Sequence, residues 1–333
     1  MKNIQLLDTT LRDGMNVTDF HTDDAIKRDI ITGLVSSGVD IVECGFLRTG
    51  EQKVNSAIYS AVGNISPFIQ PKRKGIMYAA ICSLFDGAAP DITPRDNTTI
   101  DIIRIAAFKH GMREALILGE NYKNKGYEVM LQPSRTSDYS DTEMLQLIRT
   151  VNEMELYSFA IVDSFGNMLP KDILKLARMY EEHLDNSVRI CYHFHNNMQL
   201  AFANAIAVLE NTNSEREIVL DASIFGMGCG AGNLPIELIM NYLNTHFEKN
   251  YDVSRVFELY EKYFLNTFKQ SHWGYQPRNF ITAKYNVHPY YGVYLETKYS
   301  FDAKMLDAVF SQMNEDDKVN FIRRIADEIG FQQ

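Results

Sequence analysis

Two histidines separated by one residue, His193 and His195, are the strongest indication of chemistry in this sequence of 333 residues. In a β-strand alternate side chains point to the same face, so the two imidazoles would project together. Two imidazoles and one carboxylate form a three-ligand metal site with positions left open for water or substrate. Asp13, in the segment LLDTTLRDGMN, is the carboxylate that we expect to complete this site. The alternative is that the two histidines pack separately and hydrogen-bond to the backbone.

A guanidinium directly before that carboxylate, Arg12, has a defined use beside a metal ion. Such an ion would bind a 2-oxo acid through its keto and carboxylate oxygens and polarise the carbonyl as a Lewis acid. Arg12 could donate hydrogen bonds to the same oxygens and stabilise an enolate. The alternative is a structural Arg–Asp ion pair. Arg104, in the apolar segment IDIIRIAAF, is either a second anchor for the acid or a buried partner of Glu43.

Eight short apolar segments recur along the chain, with amphipathic helical patterns between them. Their near-continuous Val, Ile and Ala indicate strands that are buried on both faces, as in a parallel sheet covered by helices. Eight such units in about 245 residues predict an α/β fold, a closed (β/α)8 TIM barrel. An open doubly wound sheet is the alternative, although no glycine-rich dinucleotide loop follows the first strand. The predicted strands are residues 4–8, 39–46, 75–83, 100–108, 127–133, 158–164, 188–195 and 218–225.

The ends of these strands carry the polar side chains, which is where barrels place their functional groups. The first strand leads to Arg12 and Asp13, and the seventh ends in YHFHNN. The fifth strand ends at Gln132, which is predicted to contact the substrate, and the sixth ends at Asp163 and Ser164. The eighth strand runs into the glycine-rich segment DASIFGMGCGAGN.

After about residue 250 the strand pattern stops and aromatic residues become frequent. We predict a barrel domain over 1–248 and a helical, aromatic-rich C-terminal extension over 249–333 that closes over the barrel mouth. The last segment, 313–331, has the pattern of a single amphipathic helix.

The composition restricts the partners of this protein. A net charge of −10 argues against binding to a nucleic-acid backbone, which needs clustered Lys and Arg. Four cysteines without a CxxC pair are typical of reduced thiols, and no signal peptide or membrane-length apolar run is present. We therefore expect a cytoplasmic protein that acts on small molecules, without a membrane or nucleic-acid partner. We also expect it to be a homo-oligomer.

Four motifs at strand ends resemble the DRE-TIM metallolyase superfamily, the HMG-CoA lyase-like or pyruvate carboxyltransferase domain. They are DTTLRDG, VDSFGNMLP, HFHNN and GMGCGAGNLPIELI, and the resemblance covers roughly residues 4–245. The group includes 4-hydroxy-2-oxovalerate aldolase, 3-hydroxy-3-methylglutaryl-CoA lyase and the isopropylmalate synthases. The segment GAGNLPIEL resembles the aldolase branch more than the acyl-CoA synthases.

The resemblance implies a divalent metal ion, Mn²⁺ or Mg²⁺, held by Asp13 and the two histidines. Asn233 matches a position that faces the metal in some relatives. The resemblance further implies that Arg12 stabilises a pyruvate-type enolate and that Ser164 seats the acid. Tyr290, in PYYGVY, matches the tyrosine of a C-terminal segment that closes over the site in the aldolases.

One residue departs from the pattern of the hydroxyoxovalerate aldolases. They carry a proposed acid/base His two residues after the glycine of RDG, where this chain has Asn16, which cannot take up a proton at neutral pH. The proton then moves through Tyr290, His21, His288 or a water on the metal, or the substrate differs. Residues 47–75 match no pattern that we can assign, and we expect them to shape the pocket of the second substrate.

Three functions stay open on the sequence. The leading hypothesis is a metal-dependent aldolase that joins or separates a pyruvate-type enolate and an aldehyde. The first alternative is an acyl-CoA-dependent Claisen condensation like that of citramalate or isopropylmalate synthase. The second alternative is a catalytically weakened barrel that binds a 2-oxo acid.

Overall fold

A computed structural model of the chain describes residues 3–84, 90–212, 215–271 and 273–331, and it contains a closed parallel barrel. Each barrel strand pairs with the next along the chain, and the first strand pairs with both the second and the last. The predicted (β/α)8 barrel is therefore confirmed, and the open-sheet alternative is wrong. The strands are β1 Ile4–Asp8, β2 Ile41–Leu47, β3 Ile58–Tyr59, β4 Met77–Ser83, β5 Ile102–Ala107, β6 Glu128–Pro133, β7 Ser158–Asp163, β8 Arg189–Phe194 and β9 Ile218–Ala222.

The short strand β3 is an addition to the barrel, because it pairs only with the end of β2. It lies in the 47–75 segment that matched no sequence pattern. The helices up to residue 271 are α1 Asp24–Ser37, α2 Ser66–Ile69, α3 Met112–Asn124, α4 Asp141–Met154, α5 Pro170–His183, α6 Ala201–Asn211, α7 Ile236–His246, α8 Val253–Leu259 and α9 Leu265–Ser271. A π-helical turn, Tyr260–Phe264, joins α8 to α9, and short 3₁₀ turns follow several strands, among them Gly14–Thr18 after β1.

Two apolar layers explain why most residues of the strands are apolar on both faces. One layer fills the barrel interior and includes Leu7, Ile102 and Val219, all without exposed surface. The other lies between the strands and the surrounding helices. Because apolar side chains occupy this part of the interior, the polar side chains gather at the C-terminal ends of the strands.

The C-terminal helices divide into a part that packs on the barrel and a part with its own core. Residues of α8 and the π-helical turn, with Trp273, join the barrel's outer apolar layer. The later helices bury a separate cluster that includes Tyr291, Leu295 and Phe310. They are α10 Pro277–Lys284, α11 Pro289–Tyr299, α12 Ala303–Gln312, α13 Glu315–Lys318 and α14 Arg323–Phe331.

The final segment corrects one prediction, because residues 313–331 form two helices, α13 and α14, instead of one. The chain turns between them, so that Phe321 lies 5.1 Å from the ring of Tyr291 and 5.4 Å from that of Tyr294, centroid to centroid. A single regular helix would carry Phe321 past these rings. Among the described residues, no helix combines the length and the apolar content that crossing a membrane requires.

Candidate active site

A cavity of about 700 Å³ lies at the C-terminal ends of the barrel strands, where α11 covers part of the barrel mouth. Its walls include eight of the ten residues predicted for the site, which come from the ends of four barrel strands or the loops that follow them, and from α11. These are Arg12, Asp13, Asn16, Gln132, Ser164, His193, His195 and Tyr290. The other two, Arg104 and Asn233, are buried behind this lining.

Asp13, His193 and His195 converge in this cavity. The Oδ2 atom of Asp13 lies 3.3 Å from Nε2 of His193 and 3.4 Å from Nε2 of His195. One ligand atom of each side chain lies within 4.8 Å of the other two. The two imidazole planes are nearly perpendicular, at 84°, so their nitrogens approach the same point from different directions.

The other ring nitrogen of each histidine, Nδ1, forms a hydrogen bond on the side away from Asp13. Nδ1 of His193 lies 2.9 Å from Oδ2 of Asp221, and Nδ1 of His195 lies 3.1 Å from the carbonyl oxygen of Asp163. A proton on each Nδ1 leaves the Nε2 lone pairs directed at Asp13, which is the usual support for metal-binding histidines. Burial raises the pKa of Asp221, but the charge of Arg104 and the contact with His193 together outweigh this and hold the pKa below its ordinary value.

The chemistry of this donor set fits a divalent cation, since imidazole nitrogen and carboxylate oxygen are common ligands of such ions. Asn233 adds a buried oxygen beside them. Its Nδ2 donates to the carbonyl of Met227 at 3.0 Å, while its Oδ1 has no hydrogen-bond partner among the described residues. A Cβ at Gly228 would lie 3.2 Å from Oδ1 of Asp13 and 3.0 Å from Cγ of Asn233, so only glycine allows this close approach.

Arg12 is fixed by two carboxylates. Its Nε donates to Oε2 of Glu43 at 2.7 Å and its Nη1 donates to Oδ2 of Asp13 at 2.8 Å. Its Nη2 makes no hydrogen bond to the residues that the structure describes, and the side chain lines the cavity. One donor of this guanidinium therefore remains for a ligand.

Arg104 lies deeper and contacts no part of the cavity. Its side chain is fully buried and pairs with Oε1 of Glu43 at 3.0 Å and with Asp221. This geometry favours the alternative in which Arg104 is a buried partner of Glu43. The contacts close a ring in which Asp13, Arg12, Glu43, Arg104, Asp221 and His193 each touch the next. The ring ties the orientation of Arg12 to that of a candidate metal ligand.

Gln132 and Ser164 add two polar side chains to the lining of the cavity. The Oγ atom of Ser164 accepts a hydrogen bond from the backbone N–H of Arg135 at 2.8 Å, so its own proton is free to be donated. Gln132 is almost completely buried at the end of β6.

Asn16 connects the barrel to the C-terminal helices. Its Nδ2 donates to the carbonyl oxygen of Asp13 at 2.9 Å, and its Oδ1 accepts from the hydroxyl of Tyr290 at 2.7 Å. Burial is the main cause that raises the pKa of Tyr290, so the phenol keeps its proton at neutral pH. Of the other groups proposed for proton transfer, His288 lines the cavity and His21 does not.

The residue that the sequence analysis missed is Asp221, which orients His193 and pairs with Arg104. A signal for it existed, because Asp221 is the one charged residue in the apolar strand β9. Glu43 in β2 and Arg104 in β5 stand out in the same way, as single charges in buried strands. Single charges in three strands of one barrel indicate an ion network in the barrel interior.

Known proteins share the sequence pattern of this chain. The HMGL-like family model matches residues 3–262. A 4-hydroxy-2-oxovalerate aldolase from Thermomicrobium roseum is 28% identical over 253 residues, which cover 72% of this chain and 66% of that protein. A 2-isopropylmalate synthase 1 from Caldanaerobacter subterraneus subsp. tengcongensis is 24% identical over 259 residues, 74% of this chain and 63% of that protein. The chain thus spans slightly less than two thirds of the length of these two relatives.

Solved structures share the fold. The N-terminal domain of a candidate aldolase from Bacteroides vulgatus superposes with a TM-score of 0.75 at 24% identity, covering 88% of this chain and 97% of that domain. An HMG-CoA lyase from Bacillus subtilis gives a TM-score of 0.61 at 17% identity, covering 85% and 98%. At these identities the likeness supports the barrel architecture alone.

Proposed function

The chain belongs to the HMGL-like family, and we propose that within this family it is a divalent-metal-dependent aldolase. It would make or cleave the carbon–carbon bond between a pyruvate-type enolate and an aldehyde. The observation that carries this proposal is the convergence of Asp13, His193 and His195 with the free Nη2 of Arg12 beside them. We expect Mn²⁺ or Mg²⁺ at the three ligands, with Asn233 as a further neighbour. A cytoplasmic location and a homo-oligomeric state remain predictions.

Residues of the barrel would bind the 2-oxo acid and stabilise its enolate. A bound divalent ion would supply Lewis-acid polarisation of the 2-oxo acid. Arg12 keeps one donor for the oxygen on which negative charge develops, and its other two donors hold it still through Glu43 and Asp13. Ser164 and Gln132, which line the same cavity, would bind the carboxylate of the acid.

Helix α11 supplies the residue that would donate a proton to the aldehyde oxygen. When the carbon–carbon bond forms, the aldehyde oxygen becomes an alkoxide that needs a proton. Tyr290 holds one because burial raises its pKa, and Asn16 fixes the direction of its hydroxyl. In cleavage the path runs in reverse: Tyr290 first gives its proton to solvent, and its phenolate oxygen then takes the proton of the substrate hydroxyl.

The test of the function is a set of three assays on purified protein supplied with Mn²⁺. We expect cleavage of 4-hydroxy-2-oxo acids to pyruvate and exchange of pyruvate methyl protons with solvent deuterium. We expect no consumption of acetyl-CoA in the presence of pyruvate. Thiol release from acetyl-CoA would instead favour the Claisen alternative. Binding of pyruvate without exchange or cleavage would favour the weakened barrel.

Replacing Asp221 with asparagine is expected to lower the affinity for Mn²⁺ by about 10-fold to 100-fold. This is the usual effect of losing the carboxylate that hydrogen-bonds to a metal-binding histidine. The amide removes the charge that holds the Nδ1 proton of His193, so its Nε2 becomes a poorer and less fixed ligand. Calorimetric titration with Mn²⁺ measures the change. The exposed Asp185 provides a matched Asp→Asn control, which should bind like the parent. An Asp221→Asn variant with parental affinity would contradict this role.

Replacing Tyr290 with phenylalanine is expected to slow aldol cleavage by about 100-fold, within the range for a lost acid–base group. The ring and its packing remain, and only the proton is removed. Pyruvate proton exchange should fall much less, because it forms no alkoxide at the aldehyde position. The two rates are measured on one preparation. Equal cleavage by variant and parent would move the proton route to another group.

A further inference from the structure

His288 is held at the start of α11 by hydrogen bonds on two of its atoms. Its Nδ1 accepts from the backbone N–H of Tyr290 at 3.3 Å, which caps the helix. Its backbone N–H donates to the carbonyl of Lys318 at 2.8 Å. The imidazole lines the catalytic cavity beside Tyr290, with ring centroids 5.1 Å apart.

The cap decides which nitrogen of His288 carries the proton. A neutral imidazole has one donor and one acceptor nitrogen, and here Nδ1 is the acceptor. Nε2 is therefore the N–H, and it has no hydrogen-bond partner within the described parts of the chain. Burial, and then the nearby His195, lower the pKa of His288 to about 4, so the ring stays neutral at neutral pH.

We propose that His288 donates a hydrogen bond from Nε2 to the aldehyde oxygen of the substrate, and that it acts as a neutral donor and not as a base. This inference rests on the proposed aldolase function. As the enolate carbon bonds to the aldehyde carbon, the carbonyl electron pair moves onto the oxygen, which takes the proton of Tyr290. His288 keeps its own proton throughout and stabilises the growing charge. Cleavage follows the same path in reverse.

A neutral donor suits this position for two reasons. A protonated imidazole near His195 would be repelled by the positive charge of a divalent ion bound there. A base at Nδ1 would have to break the cap of α11 and release Tyr290 from its position. One imidazole therefore has two roles: Nδ1 caps the helix, and the N–H at Nε2 is available to the substrate.

Two substitutions separate these uses. His288→Asn keeps an acceptor near the position of Nδ1, and asparagine is a favoured cap, but it removes the donor at Nε2. His288→Gln places an amide N–H near the position of Nε2. We expect His288→Asn to lower kcat/KM for cleavage of 4-hydroxy-2-oxovalerate by about 10-fold to 100-fold with little change in Tm, as for a lost hydrogen bond to a developing charge. His288→Gln should recover most of the rate.

Three further readouts distinguish the failure of this inference from that of the proposed function. Cleavage by His288→Asn should fall by a larger factor than pyruvate proton exchange, and its pH–rate profile should keep the limbs of the parent. The matched control His246→Asn, at the exposed end of α7 and outside this cavity, should cleave like the parent. In protein with ¹⁵N-labelled histidine, the ring signal that disappears in His288→Asn should be that of a neutral, Nε2-protonated imidazole.

Each outcome has one meaning. If the parent exchanges pyruvate protons and His288→Asn cleaves as fast as the parent, the inference on His288 is wrong and the proposed function stands. A proton on Nδ1 in the ¹⁵N spectrum, or loss of an acidic limb in the variant, also overturns the inference. If the parent neither exchanges nor cleaves, the proposed function itself fails.

Discussion

Replacing His195 with alanine is expected to remove the bound divalent ion and abolish aldol cleavage while leaving the barrel folded. The change takes away one of three ligands, and the parent should hold about one ion per chain, as expected of such a site. The imidazole makes one hydrogen bond behind the site, to the carbonyl of Asp163, so its loss should disturb the barrel little. Elemental analysis after dialysis measures the ion, and circular dichroism measures the fold.

A second histidine gives the matched control for this experiment. His246, at the exposed end of α7, can be changed to alanine without touching the cavity, and this variant should retain both the ion and the activity. Full ion occupancy in His195→Ala would contradict the assignment of His195 as a ligand. It would leave Asp13 and His193, with Asn233, to hold the ion.

Replacing Arg12 with lysine is expected to lower the turnover for cleavage by about 100-fold to 1,000-fold, nearly as much as replacement with alanine. Arg12 uses separate donors for Glu43, for Asp13 and, in our proposal, for the enolate oxygen. A lysine ammonium is a compact point charge that cannot reproduce this planar fork of donors. Turnover is measured at saturating Mn²⁺, so that a lower affinity of the variant for the ion does not affect the measured rate.

The control for Arg12 is another guanidinium that lines the same cavity. Arg48 lies over the rings of Phe20 and Phe46, at 5.5 Å and 4.7 Å from their centroids, and has no part in the proposed chemistry. Arg48→Lys should therefore change turnover by no more than a few-fold. An Arg12→Lys variant with near-parental turnover would assign Arg12 to the ion network alone.

The sequence predicted the barrel because a strand buried on both faces has a composition that an exposed strand cannot have. The same rule located the candidate site, since polar residues such as Asp13 and Ser164 interrupt the apolar pattern where each strand ends. The spacing of His193 and His195 then required only that the seventh predicted segment be a strand. The family resemblance drawn from these motifs is confirmed by the match over residues 3–262.

What the sequence could not predict depends on partners that are distant along the chain. The sequence offered Glu43 as a buried partner of Arg104, but nothing in the strand says that Asp221 reaches the same guanidinium. The break between α13 and α14 depends on the aromatic rings that Phe321 contacts from another helix. The protonation of His288 depends on a helix cap that forms only when α11 begins at residue 289.

The mouth of the barrel is completed by helices that bury an apolar cluster of their own. The barrel supplies Arg12 and the three candidate ligands, whereas α11 supplies Tyr290 and His288. Such an arrangement lets evolution alter the two halves separately. A lineage could exchange or remodel the C-terminal helices and thereby accept a different aldehyde, while the proposed enolate chemistry of the barrel continued unchanged beneath them.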